Sequence, residues 1–375
     1  MRLNPTLEAL RVYPFVRLTQ AKNERLARGE QVVDFGVGEP REETPPFIRA
    51  ALADAIEPMS TYPAAEGLPE LREAIAAWAG RRFGAALDPD SEIVPTLGSK
   101  EAIFHLAQVI GPGKVALTVP GYPVPERGAL FAGREVVEAP LEAARGFLPD
   151  LAALPLAELG LLWLNYPNNP TAATVSLEFL ERAAALAREH DFVLASDEAY
   201  SEIYFGPEPP VSALALTDRT NVVTFNTLSK RSSMPGYRSG FAAGDPQIVA
   251  ALKRYRPNVG VAPQEFVQRA AAAAWRDEDH VDAVREVYRA KRDVVLPAFE
   301  AIGMRHAGGD ASFFLWLALP SGETSSEAFA ARLLDGGVLV APGAFFGSVG
   351  EGYVRVALVP TLDECRRAAA LLTGV

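Results

Sequence analysis

Leu159-Gly-Leu-Leu-Trp-Leu164 is a run without a charged or polar side chain that passes directly into Asn165-Tyr-Pro-Asn-Asn-Pro-Thr171. Apolar residues without alternation read as a strand covered on both faces, and the prolines and asparagines behind them as a rigid polar turn at its carboxyl end. Similar β-rich runs occur at 115–119, 192–196, 222–225 and 240–243. Between them, 70–82, 100–109 and 177–190 carry apolar residues at helical spacing with charges opposite. Strands alternating with amphipathic helices predict an α/β fold: a mostly parallel sheet with helices over both faces. In such sheets ligands bind in the crevice outside the carboxyl ends of the strands.

Three strand ends carry chemistry there. The first supplies Asn169. The second, Phe192-Val-Leu-Ala-Ser-Asp-Glu-Ala-Tyr200, delivers Asp197 and Tyr200. The third, Thr227-Leu-Ser-Lys-Arg-Ser-Ser-Met-Pro-Gly-Tyr-Arg238, places an amine, several hydroxyls, a glycine turn and a permanent cation within a dozen residues. A lysine that forms a Schiff base with a cofactor aldehyde must be held beside it, while an arginine fork and small hydroxyls neutralise a phosphate dianion. An isolated Ser-Lys pair reads as solvated surface; here it stands in order behind two other polar strand ends.

Asn-Asn-Pro-Thr, Asp-Glu-x-Tyr and Ser-Lys-x5-Gly-x-Arg, in this order, resemble the class I pyridoxal-phosphate aminotransferases of fold type I. The resemblance covers essentially the whole chain and takes in Gly36-Val-Gly-Glu-Pro40, Tyr62 to Arg72, Gly98-Ser-Lys100 and Pro120-Gly-Tyr122. Within the family, residues 229–245 with Tyr13-Pro14-Phe15 are similar to the N-succinyldiaminopimelate aminotransferases of lysine biosynthesis. The resemblance implies pyridoxal 5'-phosphate as cofactor and a ping-pong Schiff-base cycle. Glutamate would be the donor and N-succinyl-2-amino-6-oxopimelate the acceptor. An aspartate, aromatic or other amino-acid transaminase, or a β-lyase on the same scaffold, is the alternative.

Residue by residue, the resemblance implies that Lys230 carries the imine and shuttles the proton. Asp197 faces the pyridine nitrogen. Tyr200 and Asn169 bond the ring oxygen, and Tyr122 stacks on the ring. Ser99, Lys100, Thr227 and Arg238 hold the phosphate, with Tyr62 reaching in from the neighbouring subunit of a homodimer. Arg355 takes the substrate carboxylate as a bidentate fork beside Gly38. For the far end of the substrate Arg41, Arg231, Arg254 and Arg256 are unranked candidates. Where the family reads Asn-Pro-Thr-Gly this chain has Ala172, so that turn is expected not to depend on a positive φ.

Composition bounds the rest. A chain of 375 residues, 49% of them hydrophobic, buries a large core and has room for two domains. We expect a PLP-binding domain over 46–275 and a smaller α+β domain over 276–375 joined by the segment 1–45. A net charge of −11 argues against a nucleic-acid partner. The single cysteine, Cys365, excludes an intrachain disulfide and falls in a helical pattern, so an inert thiol in a reducing cytoplasm is expected. The four histidines lack ligand spacing and no metal site is expected. There is no signal-peptide pattern and no run long enough to span a membrane. Gly36-x-Gly38 lacks a third glycine, which removes a dinucleotide reading.

Overall fold

The computed structural model describes residues 1–9, 14–59 and 61–373; Tyr13, used in the sequence reading, lies outside them. Its centre is a seven-stranded sheet in the order Ile93–Thr96, Gly240–Gly244, Val222–Thr227, Val193–Asp197, Leu159–Asn165, Lys114–Val119, Val136–Pro140. Five strands form a parallel block from Val222–Thr227 to Val136–Pro140. Gly240–Gly244 runs antiparallel to both its neighbours, so only this strand departs from a common direction. The parallel strands are almost wholly buried, which is why their sequences lack the alternation of a half-exposed strand.

The helices Pro69–Phe83, Ser99–Val109 and Leu177–Glu189 begin and end within a residue or so of the predicted spans. Pro69–Phe83 stops where Gly84 turns left-handed at φ 68°. The Ala-rich stretch from 264 to 301 is two helices, Glu265–Arg276 and Asp279–Ala301. A second sheet of four strands is built around Phe314–Ala318 and Tyr353–Ala357. Val33–Asp34 pairs in parallel with Val338–Leu339, tying the N-terminal segment to the last third of the chain. The strand that follows Val338–Leu339, Ala341–Pro342, belongs to the four-stranded sheet instead and pairs with Tyr353–Ala357.

Packing at the carboxyl edge of the large sheet fixes what can be placed there. Trp78, Trp275 and Phe241 form one fully buried aromatic cluster, with the two indoles 4.5 Å apart between ring centroids. Gly240 sits opposite both Thr96 and Thr227. A Cβ there would lie 2.5 Å from the Asn226 carbonyl oxygen and 3.0 Å from the Ser99 amide nitrogen. Because both neighbours are backbone, an added methyl group forces the strands and the helix start apart. Gly240→Ala is expected to destabilise the fold by roughly 1–3 kcal/mol, read as a lower thermal midpoint. Gly206→Ala, with nothing within 4 Å of its Cβ, serves as the control and should leave the midpoint level or raise it slightly. Equal midpoints for both variants would contradict the account.

Candidate active site

A cavity of about 320 Å³ opens at the carboxyl edge of the large sheet and is closed on its other side by Phe314, Phe346 and Arg355. The ends of Leu159–Asn165, Val193–Asp197 and Val222–Thr227 deliver polar side chains to it, as a doubly wound sheet does. Lys230 follows on the four-residue helix Leu228–Arg231, whose first amide is capped by Thr227 Oγ1 accepting from Ser229 N at 3.1 Å. The amine of Lys230 donates to the Gly38 carbonyl at 2.8 Å. Enclosure by protein, with Arg355 next in weight, lowers its pKa to about 8.

Asp197 is 4% exposed, and among the described residues its carboxylate accepts one hydrogen bond, from the Ala199 amide at 3.3 Å. Burial pushes its carboxyl up to about 7, with that amide and Lys230 pulling the other way. A turn of asparagines stands beside it. Asn165 donates to the Asp197 carbonyl at 2.9 Å and accepts from the Asn169 amide at 2.9 Å. Asn168 accepts from both the amide and the hydroxyl of Thr171. Asn169 Oδ1 in turn accepts from Arg355 Nη1 at 2.8 Å, while Arg355 Nη2 donates to the Gly36 carbonyl at 2.7 Å. The guanidinium lies among aromatic rings, 4.3 Å from the centroid of Phe314 and 4.7 Å from that of Phe346. The Tyr200 ring packs edge-on against Phe313 and Phe314.

On the opposite wall the helix Ser99–Val109 begins at Gly98, with no side-chain cap on its first amides. Those amides and the Ser99 hydroxyl face a space flanked by Thr227 and Arg238. Arg238 is anchored by the Pro235 carbonyl at 2.8 Å and lies over Gly98, where a Cβ would come within 2.6 Å of its Nη2. An uncapped helix N-terminus beside an arginine and hydroxyls is an anion cradle.

A family model described as aminotransferase class I and II matches residues 30–372. The chain is 39% identical over 384 residues to an LL-diaminopimelate aminotransferase of Dehalococcoides mccartyi, covering 100% of this chain and 99% of that protein. Among solved structures it superposes with a TM-score of 0.91 and 30% identity on an aspartate aminotransferase from Thermus thermophilus with maleate, covering all of both chains. A probable N-succinyldiaminopimelate aminotransferase from the same organism gives a TM-score of 0.88 at 31% identity, over 96% of this chain and 99% of that one. The chain belongs to the class I and II aminotransferase family. Its fold is fold type I and its cofactor is pyridoxal 5'-phosphate.

The aminotransferase site fits that group on its own chemistry. The buried Asp197 has one weak partner and asks for a cation, which a protonated pyridine nitrogen is. The uncapped amides at Ser99 and Lys100 with Arg238 suit a phosphate, and the Lys230 amine suits an aldehyde.

Eleven of the twelve residues singled out from sequence line the one cavity, with Gly38, Lys100 and Tyr122 on its walls. Tyr62 does not; its side chain is fully exposed. None of the four arginines assigned to the far end of the substrate lines it either. Arg231 is buried against Trp275, donates to the carbonyls of Ala274 and Asp277 and pairs with Glu278. Arg256 is fully buried, bonded to the Ala65 carbonyl and Glu101. Arg41 sits 3.7 Å from both Asp34 and Glu364, and Arg254 is exposed on a helix outside the cavity. The expectation about Ala172 is also overturned. Its φ is +60°, its amide donates to the Asn168 carbonyl at 2.9 Å, and it is fully buried, so the turn keeps the left-handed backbone and places an alanine in it. Sequence reasoning passed over Glu39, Phe15, Phe314 and Phe346, which line the cavity. The phenylalanines carry no signal that separates them from core residues; Glu39 lies inside the quoted Gly36–Pro40 run.

Lys230 must be neutral to attack an aldehyde. With its pKa lowered from 10.5 to about 8, the neutral fraction at pH 7 is roughly 300-fold that of an ordinary lysine. Capture of pyridoxal 5'-phosphate by the cofactor-free protein should therefore accelerate with pH up to about 8 and then level off, followed by stopped-flow absorbance. A rate that climbs steadily beyond pH 10 would show an unperturbed amine.

Proposed function

We propose that this aminotransferase removes an α-amino group from LL-diaminopimelate and passes it to a 2-oxo acid in two half-reactions, with glutamate and 2-oxoglutarate as the second couple. The observation that carries the reaction class is the convergence of the Lys230 amine, the Asp197 carboxylate and the Arg355 fork on one cavity. The full-length likeness to a protein named LL-diaminopimelate aminotransferase supports the substrate.

Bound pyridoxal 5'-phosphate supplies the aldehyde and a ring that accepts electron density from the substrate's α-carbon. The protein does the rest. The Lys230 amine would hold the aldehyde and, when neutral, would be the base that moves the proton at the substrate's α-carbon. Asp197 would hold a proton on the ring nitrogen, Tyr200 and Asn169 would hydrogen-bond the ring oxygen, and Tyr122 would pack against the ring. Ser99, the Lys100 amide, Thr227 and Arg238 fix the phosphate, so that Lys230 and the reacting carbon keep one geometry throughout. Arg355, which donates to Asn169 and Gly36, would take the substrate α-carboxylate. Gly38 packs against Phe314, which a Cβ there would meet at 2.8 Å, so a side chain at this position would displace part of the cavity wall. Tyr62, exposed on the single chain, completes the phosphate site of a partner subunit in a homodimer. In this reading the chain divides near residues 45 and 275.

A second reading has a specific observation behind it. The structural likeness to the probable N-succinyldiaminopimelate aminotransferase of Thermus thermophilus favours the succinylated substrate. The two are separated by following the cofactor's absorbance as LL-diaminopimelate, N-succinyl-LL-diaminopimelate and aspartate are added singly to the holoenzyme. Fast bleaching by LL-diaminopimelate alone is expected. Bleaching by only the succinylated compound transfers the assignment to the second reading, and bleaching by only aspartate removes both.

Two variants test the roles. Lys230→Ala should lose the protein-bound imine absorbance and turnover by more than about 10⁴-fold while its circular dichroism is kept. Arg355→Lys replaces a planar fork with a point charge, so kcat/KM should fall roughly 10- to 100-fold, chiefly through KM. An Arg355→Lys enzyme with unchanged KM would move the carboxylate site elsewhere.

A further inference from the structure

Two carboxylates line the cavity, and only Asp197 has a role in the reaction described above. The other is Glu39, exposed at the mouth of the pocket in the turn between Gly38 and Pro40. Its side chain forms no hydrogen bond or ion pair with any described residue; the carboxylates of its neighbours in sequence, Glu42 and Glu43, are each matched by a cation, Lys291 and Arg49. The residue nonetheless forms part of the cavity wall. Its charge acts on the Lys230 amine, ahead of that of Asp197. Among the described residues three cations besides the Lys230 amine, namely Lys100, Arg238 and Arg355, line the same cavity, so the phosphate of the cofactor and the α-carboxylate of the substrate are provided for. A lone rim carboxylate adds nothing to the binding of a substrate that carries only carboxylates beyond its reacting amine.

We infer that Glu39 is a specificity-determining residue that accepts the distal ammonium group of a diamino acid substrate. The inference rests on the LL-diaminopimelate reading and sharpens it. The far end of that molecule carries a second ammonium, which a free carboxylate at the pocket mouth binds by a charge-assisted hydrogen bond. Succinylation converts the ammonium to a neutral amide and adds a carboxylate, so the same glutamate loses an attraction and gains a repulsion. Glu39 thus selects for the free diamine and against its acylated form, discrimination by repulsion as well as by contact.

The test uses the holoenzyme and Glu39→Gln, which keeps size and removes charge from an exposed side chain. Single-turnover kcat/KM is measured with LL-diaminopimelate and N-succinyl-LL-diaminopimelate, and with L-lysine and L-norleucine. Lysine carries the distal ammonium without the second carboxylate, and norleucine carries neither. In Glu39→Gln the preference for lysine over norleucine should fall about 10- to 100-fold, the range for a hydrogen bond to a charged group. The preference for LL-diaminopimelate over its succinyl derivative should fall with it. Ratios unchanged in both pairs, whether or not absolute rates drop, overturn the inference, because a merely structural role lowers all four rates together. Wild-type enzyme that turns over lysine faster than norleucine but ignores LL-diaminopimelate removes the substrate reading while leaving Glu39 to be judged on the lysine ratio. Wild-type enzyme indifferent to the distal ammonium in both pairs overturns the role of Glu39.

Discussion

The constraint on which the site depends is the burial of two opposite charges in one cavity without contact between them. Asp197 and Lys230 are each pushed toward neutrality by the protein around them, the carboxyl up to about 7 and the amine down to about 8. For Asp197 that displacement from 3.8 corresponds to about 4 kcal/mol of opposition to its ionised form. A unit positive charge 4 Å away contributes about 4 kcal/mol at the effective dielectric of such sites. The two magnitudes match. A cationic ring against Asp197 therefore restores its charge, and the protein holds in reserve an electrostatic demand that a cofactor, not a protein side chain, satisfies. For Lys230 the same enclosure works in the opposite sense, because a neutral amine is what the chemistry uses.

Holding those groups apart is the task of the surrounding packing. The side chains of Asn165 and Asn168 bond the backbone of Asn165, Asn169 and Thr171, and the Thr171 hydroxyl donates to Asn168, so the turn that carries Asn169 is rigid before any ligand arrives. Arg355 extends the same network from the second sheet to the first through Asn169. The Trp78, Trp275 and Phe241 cluster, with Arg231 laid on it, fixes the residue next to Lys230. A lysine whose neighbour is bolted into the core has few positions for its amine.

The three central parallel strands were legible because each is fully buried and reads as an almost continuous apolar run, and the helices because apolar spacing is kept over three or more turns. The strands Ile93–Thr96 and Val136–Pro140 were not: one is four residues long and includes a proline, the other is only partly buried and carries Glu138. Nor does periodicity reveal that Gly240–Gly244 reverses direction. The positions that converge on the cavity were readable since lysine, aspartate and arginine at strand ends have few other uses. Arg231 and Arg256 misled for the complementary reason: a buried arginine satisfied by carbonyls looks, in sequence, like one waiting for a substrate. Ala172 misled because the identity of a residue limits its backbone only by a cost of about 1–2 kcal/mol, which a turn with this many hydrogen bonds outweighs.

The far end of the substrate is where sequence reasoning was weakest, and the reason lies in the direction of the search. A pocket lined by Lys100, Arg238 and Arg355 needs no further arginine to bind acids; what distinguishes one acid from another there is the sign that is scarce. Glu39 supplies it at the mouth, where water screens the charge and its contribution to stability is small. A residue in that position is free to vary without cost to the fold, whereas Asp197 and Arg355 are bound into the sheet that carries them. Reaction type is accordingly set by groups the fold cannot release, and substrate choice by groups that the fold leaves exposed.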